Sequence, residues 1–359
     1  MSRDAGALFV KCILLAVVAT LPVAFSAWAD PARLLGAHAA ESAIANAMVA
    51  GHHVADVMNY DERAIGVLLA RRRAQRPDVL ALGSSRIQAL DQSDFPGLVF
   101  VNAGVSSGRL DDVLGLYEPY DDEAHRPSRL ILNLDPLSLD EDPVEGNWNA
   151  IANERATMMA RIGAGNHASR DLLGLRLAML ERLASPEYFR LAVHSFRRYG
   201  ARGMPFVVTD VVPLEGKTKA PNGTVIWGTA TTAQTNAAVG VYLADLARIE
   251  RMHEQITPEV RARRGELLLR FLEYVQRTGV RVTLVLVPYH PDVYAAYSLR
   301  RAQTIPLAER TYRELARRAN VEIIGSYDPA VAGVTAADVL DQEHLTHEAL
   351  ARVVGAGRP

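Results

Sequence analysis

Cysteine is nearly absent from this sequence, because Cys12 is the only one among 359 residues. A single cysteine can form neither an internal disulfide framework nor a thiolate metal site. An excess of one charge is also lacking, since 39 Lys and Arg residues are matched by 41 Asp and Glu residues. Without a basic excess, the sequence gives no indication of nucleic-acid binding. No group of His, Asp and Glu has the spacing of metal ligands, so we predict neither a metal nor another cofactor.

One long apolar run is present, over residues 7–29, with Lys11 near its start. Its length suits a membrane-spanning helix, which needs about 20 residues, and the positive charges before it favour a cytoplasmic N-terminus. We therefore predict a signal anchor over 1–30, with the rest of the chain facing the periplasm or the cell exterior. The alternative is a signal peptide that is cleaved after Ala29, since Ala27-Trp28-Ala29 resembles a signal-peptidase site.

Five short apolar runs predict the strands of one sheet, and they follow a helical lead-in over 31–76. Continuous apolar runs are typical of parallel strands that are covered on both faces. Helical stretches separate them, so we predict an α/β fold, a three-layer, doubly wound, flavodoxin-like domain over 77–359 with the strand order 2-1-3-4-5. The predicted strands are 79–82, 98–102, 130–134, 282–287 and 321–324.

An insertion over about 140–257 interrupts the alternation of strands and helices. We predict that it is mainly helical and covers an edge of the sheet, as a lid or a partner surface. Within it, the stretch 207–232 has the pattern of a hairpin, with Asn222-Gly223 as a strong turn signal. After the insertion, Pro258 begins a predicted helix that ends near Gly279 and leads directly into the next strand.

Small polar residues follow the first two predicted strands. Gly83-Ser84-Ser85 ends the first, and Asn102-Ala103-Gly104 ends the second. Ligands of doubly wound sheets bind beyond the carboxyl ends of the strands, so these turns lie at the expected site. Near the C-terminus, Asp341 precedes His344 by three residues, a spacing that lets the carboxylate bind the imidazole Nδ1. The combination predicts a nucleophilic Ser85 with His344 as its base and Asp341 behind it.

The order of these motifs resembles the SGNH (GDSL-like) hydrolase superfamily. The resemblance covers roughly 78–133 and 283–353, and it implies that Ser85, Asp341 and His344 form a catalytic triad. It also implies that the N–H groups of Ser85 and Gly104 stabilise the oxyanion. In its N-terminal anchor, serine turn and helical insertion, the chain is similar to the extracytoplasmic proteins of alginate O-acetylation and teichoic-acid D-alanylation.

Two positions depart from the pattern of that family. Ser84 replaces an Asp, and Asn133-Leu134-Asp135 stands where the family has Gly-x-Asn-Asp after the third strand. Asn133 is therefore either a third oxyanion donor or a structural residue of the strand end. We also name Asn102 and His290 as candidates for substrate contact, and His290 has packing as its alternative.

Two rival assignments remain open on the sequence alone. Gly104-Val105-Ser106-Ser107-Gly108 matches the serine elbow of α/β-hydrolases, which makes Ser106 a second candidate nucleophile. His347 lies one helical turn after His344 and is a second candidate base. The family spacing favours Ser85 and His344 in both cases.

The resemblance implies a serine-dependent ester hydrolase or acyl (acetyl) transferase that acts on a cell-envelope or exported polysaccharide. The polysaccharide is the expected acyl acceptor, and a membrane O-acyltransferase is a candidate partner. The alternative is a non-catalytic accessory component of such a membrane complex. No nucleic-acid partner is predicted.

Overall fold

The computed structural model describes residues 11, 20–29, 39–55, 60–139, 150–164, 177, 180–199, 206–210, 216–228, 231–247, 258–299 and 304–355. Most of the predicted membrane segment and the stretch 30–38 lie outside these residues. Within them, no helix has the length and the apolar character needed to cross a bilayer. Residues 20–29 are helical (α1).

The main sheet has five parallel strands, and each corresponds to one of the five predicted apolar runs. Its order is β3-β2-β4-β8-β9, which is 2-1-3-4-5 when only these strands are numbered. The α/β fold, the parallel pairing and the strand order are confirmed. The strands are β2 (Val79–Leu82), β3 (Phe100–Asn102), β4 (Arg129–Asn133), β8 (Arg281–Leu286) and β9 (Glu322–Gly325).

Both faces of this sheet are covered, which explains why its strands are mostly apolar, with Thr283 inside β8 as a buried polar exception. Leu80 and Leu82 point into one hydrophobic core, and Val79 and Ala81 point into another on the opposite face. Since neighbouring side chains of a strand point to opposite faces, a strand between two cores favours apolar residues at consecutive positions. The carboxyl ends of the strands therefore remain as the place for polar loops.

Helices separate the strands of the main sheet along the chain, as the sequence pattern predicts. The predicted helix after the insertion begins at Pro258 and buries Leu268, Phe271, Leu272 and Val275. The described helices are α2 (Ala39–Val49), α3 (Glu62–Arg72), α4 (Leu110–Tyr117), α5 (Ala152–Arg161), α6 (Pro186–Tyr199), α7 (Thr232–Ala244), α8 (Pro258–Arg277), α9 (Pro291–Ser298), α10 (Thr304–Ala319), α11 (Pro329–Ala332) and α12 (His347–Val354).

A second, four-stranded antiparallel sheet joins the lead-in to the insertion. Its order is β5-β1-β6-β7, formed by β1 (His53–Ala55), β5 (Val207–Thr209), β6 (Lys217–Lys219) and β7 (Val225–Trp227). The predicted hairpin is present, with Gly223 in its turn at a φ of 96°. The expectation of a wholly helical lead-in is wrong at β1. That strand exists through pairing with β5 and β6, which a local sequence pattern does not reveal.

Candidate active site

Ser85 lies at the carboxyl end of β2, an interior strand between β3 and β4, in a turn that only glycine at position 83 permits. Gly83 has a φ of 137°, and a Cβ on it would lie 2.6 Å from the Asn133 carbonyl oxygen. The chain then enters a single 3-10 turn over Ser85–Ile87, which the Ser84 hydroxyl caps by accepting the Arg86 N–H at 3.2 Å. This arrangement presents Ser85 at the start of a helical turn, with its own N–H free of an intrahelical partner.

Ser85, His344 and Asp341 form a continuous hydrogen-bonded series. The His344 Nε2 lies 2.8 Å from the Ser85 Oγ, and the His344 Nδ1 lies 2.7 Å from the Asp341 Oδ2. The first of these distances joins residues that are 259 positions apart in the chain. The series has the geometry in which an imidazole takes a proton from a serine hydroxyl while a carboxylate fixes its tautomer.

The contacts that Asp341 makes within its own turn favour the ionised form of its carboxyl group. Burial by itself would raise the pKa of its carboxyl, but the hydrogen bond and charge of His344 outweigh this and lower that pKa overall. Its Oδ1 also accepts the N–H groups of Glu343 and His344, at 2.9 and 2.8 Å. The same carboxylate therefore shapes the loop and orients the imidazole.

Gly104 and Asn102 lie close to the site but bind each other. The Gly104 N–H donates to the Asn102 Oδ1 at 3.1 Å, so that N–H already has a partner within the protein. The Asn102 amide group donates to the carbonyl oxygens of Ile87 and Leu90. Neither residue lines the cavity beside Ser85. This geometry does not support the predicted role of Gly104 as an oxyanion donor or that of Asn102 as a substrate contact, and both residues stabilise the loops instead.

Ser107 and Gly108 lie beside Ser85, where the sequence predicted Gly104. Both line the cavity together with Ser85. A Cβ on Gly108 would lie 2.4 Å from the Gly83 carbonyl oxygen, so glycine is required for the two loops to meet. Ser107 has a φ of 52°, a left-handed conformation that non-glycine residues rarely adopt. Among the described residues, no hydrogen-bond acceptor is found for the Ser107 N–H.

Asn133 is also engaged within the protein. Its Oδ1 accepts from the N–H and the hydroxyl of Ser84, at 3.1 and 2.9 Å, and its amide group points to the Val285 carbonyl oxygen. Of its two predicted roles, this geometry favours that of a structural strand-end residue. Asn133 positions the serine turn through Ser84, because its Oδ1 accepts both the N–H and the hydroxyl of that residue.

A buried arginine connects the serine turn to the other strand ends. The Arg86 guanidinium forms an ion pair with Asp135 at 3.1 Å and donates to the backbone carbonyl oxygens of Glu343 and Val287. Its Cζ lies 4.0 Å from the centre of the Tyr289 ring. Because Glu343 immediately precedes His344, Arg86 fixes the histidine loop against the turn that carries Ser85.

A cavity of about 780 Å³ opens beside Ser85. One wall is formed by the serine turn and the loop after β3, and another by helix α7 of the insertion. This volume lies within the roughly 300–1,000 Å³ of ligand pockets. The cavity is lined by Ser84, Ser85, Ser107, Gly108, Arg109, Asp135, Pro136, Leu137, Ala237, Ala238, Val241, Tyr242, Asp245, Tyr289, Gln342 and Glu343.

No protein-family model, no curated protein and no solved structure matches this chain. The geometry described above is therefore the basis for assigning a function.

The hairpin of the insertion covers the histidine. The Trp227 ring lies 4.9 Å from the His344 ring, centre to centre, with 36° between the two planes. On Trp227 in turn lies the Lys217 ammonium group, 4.0 Å from the ring centre. Burial lowers the pKa of Lys217, and Asp341 acts in the opposite direction. The insertion therefore places a side chain against His344 and also forms a wall of the cavity.

The rival residues have other partners in the structure. Ser106 contacts no histidine among the described residues, since its backbone binds Glu62 and Arg63. His347 binds the Asp94 carboxylate at 3.0 Å. His290 is buried and caps helix α9 by accepting the Asp292 N–H, and it does not line the cavity. Of its two predicted roles, the structure favours packing.

Sequence reasoning did not select Arg86, Ser107, Trp227 or Lys217. Arg86 directly follows the candidate nucleophile, and Ser107 lies between a serine and a glycine after a strand, so both had a local signal. Trp227 and Lys217 had none, because their placement depends on how the insertion folds back over the sheet. Among the described residues, no group of three His, Cys, Asp or Glu is arranged to hold a metal ion.

Proposed function

We propose that this protein is a serine-dependent ester hydrolase or acyl transferase of the SGNH type, with Ser85, His344 and Asp341 as its catalytic triad. The observation that carries the proposal is the Ser85–His344–Asp341 series, with hydrogen bonds of 2.8 and 2.7 Å. The position of Ser85 at the carboxyl end of the first strand of a parallel sheet with the order 2-1-3-4-5 supports the same assignment.

The reaction proceeds in two steps. The Ser85 Oγ forms a bond to the acyl carbon while its proton passes to the His344 Nε2, and the carbonyl oxygen becomes an oxyanion. When the oxyanion collapses, the ester C–O bond breaks and the leaving oxygen takes the proton from His344. Water or an acceptor hydroxyl then attacks the acyl-serine by the same route in reverse, so that Ser85 regains its proton.

We assign the oxyanion to the N–H groups of Ser85 and Ser107. Both residues line the cavity, and neither N–H has an acceptor among the described residues. Two preorganised donors of this kind are each worth roughly 3–4 kcal/mol of transition-state stabilisation. Ser107 replaces Gly104 in this role because the Gly104 N–H is bound to Asn102.

The substrate that we propose is an acyl ester of a cell-envelope or exported polysaccharide, with the chain anchored to the outer face of the cytoplasmic membrane. The cavity of about 780 Å³ is far larger than an acetyl group, which leaves room for part of an acceptor sugar. The apolar run at the N-terminus supports export. A membrane O-acyltransferase is the corresponding candidate partner.

The proposal is tested by Ser85→Ala with Ser106→Ala as its matched control. We expect Ser85→Ala to lower kcat on a chromogenic acetyl ester by about three or more orders of magnitude and to abolish labelling by a fluorophosphonate probe. Ser106→Ala should retain both. Undiminished turnover in folded Ser85→Ala would contradict the triad. A wild-type chain that forms no probe adduct and yet co-purifies with a membrane O-acyltransferase would favour the accessory role.

A further inference from the structure

Helix α3 of the lead-in holds the backbone of Ser106 from both sides. The Ser106 N–H donates to the Glu62 carboxylate, and the Ser106 carbonyl oxygen accepts from the Arg63 Nη2 at 3.0 Å. Glu62 and Arg63 are neighbours in the first turn of that helix, which Asp61 caps. The peptide groups on either side of Ser106 cannot rotate without breaking these hydrogen bonds.

The guanidinium of Arg63 is itself fixed. Its Nε and Nη2 donate to the two oxygens of the Asp112 carboxylate, at 2.8 and 3.1 Å. Both side chains are buried, with 7% and 4% of their surfaces exposed. Asp112 also accepts the Arg109 N–H at 2.9 Å, at the start of helix α4. A two-pronged pair of this kind sets the direction of the remaining N–H groups of the arginine.

The direction of the Ser106 carbonyl sets that of the Ser107 N–H, because the two belong to one peptide group. A trans peptide is planar, and its C=O and N–H point in opposite directions. With the oxygen bound to Arg63, the N–H points away from α3, and Ser107 lies on the wall of the cavity beside Ser85. The left-handed φ of 52° at Ser107 is a conformation that persists where the surroundings hold it.

We propose that Arg63 is a positioning residue for the oxyanion hole, acting through the peptide group between Ser106 and Ser107. This inference rests on the proposed function, since it assumes an oxyanion at Ser85. Arg63 fixes the orientation of the Ser107 N–H, and its positive charge polarises that peptide group so that the N–H is a stronger donor. Without it, the peptide can rotate and present an oxygen where the transition state needs a proton donor.

The test compares Arg63→Lys with Arg264→Lys in the full chain. Arg264 is an equally buried arginine that binds Asp111, the neighbour of Asp112, and among the described residues it donates no hydrogen bond to the backbone of the loop after β3. Lysine keeps the positive charge in both variants but lacks the planar guanidinium group that can bind a carboxylate through two hydrogen bonds. For each variant, kcat and KM on a short acyl ester are measured beside the inhibition constant of an alkyl boronic acid, which forms an anionic tetrahedral adduct on serine.

We expect Arg63→Lys to lower kcat about tenfold to a hundredfold with KM nearly unchanged, since removing one oxyanion donor costs about 10²–10³ in kcat. The boronate affinity should fall by the same factor as kcat/KM. Arg264→Lys should change none of these values by more than about twofold. If Arg63→Lys does not fold, Arg63→Met with Asp112→Asn removes the pair without leaving a buried charge and still retains an acceptor for the Arg109 N–H.

Two results would overturn the inference. One is a folded variant without the Arg63 hydrogen bond that keeps the kcat of the wild type. The other is a loss of kcat without a matching loss of boronate affinity, which would indicate a general disturbance of the fold. A failure of the proposed function itself is distinguished by the wild type, whose turnover would then be absent or unaffected by Ser85→Ala.

Discussion

Glu62 is one residue whose side chain joins three distant parts of the chain. Its carboxylate accepts from Lys219 on the hairpin at 3.0 Å, from the Tyr60 hydroxyl at 3.1 Å, and from the Ser106 N–H. Burial by itself would raise the pKa of Glu62, but the charge of Lys219 and the Ser106 hydrogen bond lower it from 4.5 to about 2. The charged form of Glu62 therefore stabilises the folded chain.

The pH dependence of the free energy of unfolding should reveal the stabilising effect of the charged Glu62, which pairs with Lys219. A carboxyl group with a lowered folded pKa contributes stability above its unfolded value of 4.5, and that contribution is lost as the pH falls towards about 2. We expect Glu62→Gln to unfold at lower urea concentration than the wild type at pH 7, and the difference to shrink steadily between pH 5 and about pH 2. Urea unfolding at several pH values measures it.

The control for that experiment is Glu266→Gln, which removes an exposed pair with Arg318 at 3.0 Å. Surface pairs contribute only about 0–1 kcal/mol, so its unfolding midpoint should stay close to that of the wild type at every pH. A difference between Glu62→Gln and the wild type that does not depend on pH would contradict the assignment of the charge to Glu62.

At the scale of single residues, the sequence could predict that Ser85, His344 and Asp341 come together, but not the hydrogen bonds of the loops around them. Asp341 and His344 share one short turn, so their spacing alone indicates their contact. The role of Gly104 could not be predicted in the same way, because its N–H finds an acceptor only once Asn102 folds back onto the loop. The hydrogen-bond partners of a loop depend on its path, and neither residue type nor spacing encodes that path.

At the scale of elements, the hairpin β6–β7 places an aromatic ring against His344, the base of the proposed triad. The Trp227 ring lies 4.9 Å from the His344 ring, so its face can stabilise the imidazolium that forms when Ser85 is deprotonated. Aromatic contacts with a cation contribute about 0.5–2 kcal/mol, depending on exposure. The hairpin thus acts on the reaction through one side chain.

We expect Trp227→Leu to lower kcat/KM on an acyl ester by about threefold to thirtyfold, which corresponds to that range of free energy. Trp227→Phe keeps an aromatic face and should retain most of the activity. The decrease in Trp227→Leu should appear mainly in kcat, because the interaction is strongest with the charged imidazole. Equal activity of the two variants would show that Trp227 only fills space.

The turn of the same hairpin packs directly on the end of β3. The Asn102 N–H donates to the Asn222 carbonyl oxygen at 2.9 Å, and a Cβ on Gly223 would lie 2.0 Å from the Asn102 carbonyl oxygen. Gly223 therefore serves two purposes: it permits a φ of 96° and it allows the close approach. The hairpin and the catalytic sheet meet at this glycine.

Replacing Gly223 by alanine should destabilise the fold by more than the conformational cost alone. Gly163→Ala is the matched control, since Gly163 also has a positive φ, of 67°, but nothing lies within 4 Å of its added Cβ. A left-handed alanine costs about 1–2 kcal/mol, so we expect that loss for Gly163→Ala and a clearly larger one for Gly223→Ala. Chemical unfolding measures both; equal losses would contradict the contact.

The elements themselves could be predicted to different degrees. The strands of the main sheet lie between two cores, so each carries a short, mostly apolar run that can be read from the sequence. β1 has only three residues, and His53 at its start is polar. It is a strand because β5 and β6 pair with it, and such distant pairing leaves no local signal.

At the scale of the whole molecule, the position of the chain relative to the membrane remains a prediction. In the described part of the N-terminal region, helix α1 packs on α6, with Phe25 lying 5.8 Å from Phe189 and 5.7 Å from Phe196 between ring centres. We expect the full chain to sediment with membranes and to resist extraction by alkaline carbonate, while a chain that begins at residue 39 stays soluble.

Mass spectrometry of the recovered protein separates the two predicted fates of the N-terminus. An intact segment 1–30 supports the anchor, and a mature chain that begins at Asp30 supports cleavage after Ala29. Recovery of the uncleaved full chain in the soluble fraction would contradict both.

The pairing of β1 also has a consequence for the order of synthesis. Its partners are β5 and β6, and residues 53 and 209 are paired in the register. During synthesis, β1 is therefore made long before β5 and β6. Until those two strands follow, the backbone N–H and C=O groups of β1 have no strand to pair with. We expect a chain that is stalled before β5 and β6 are made to be cut by proteases near β1. A chain that includes both strands should resist cleavage there.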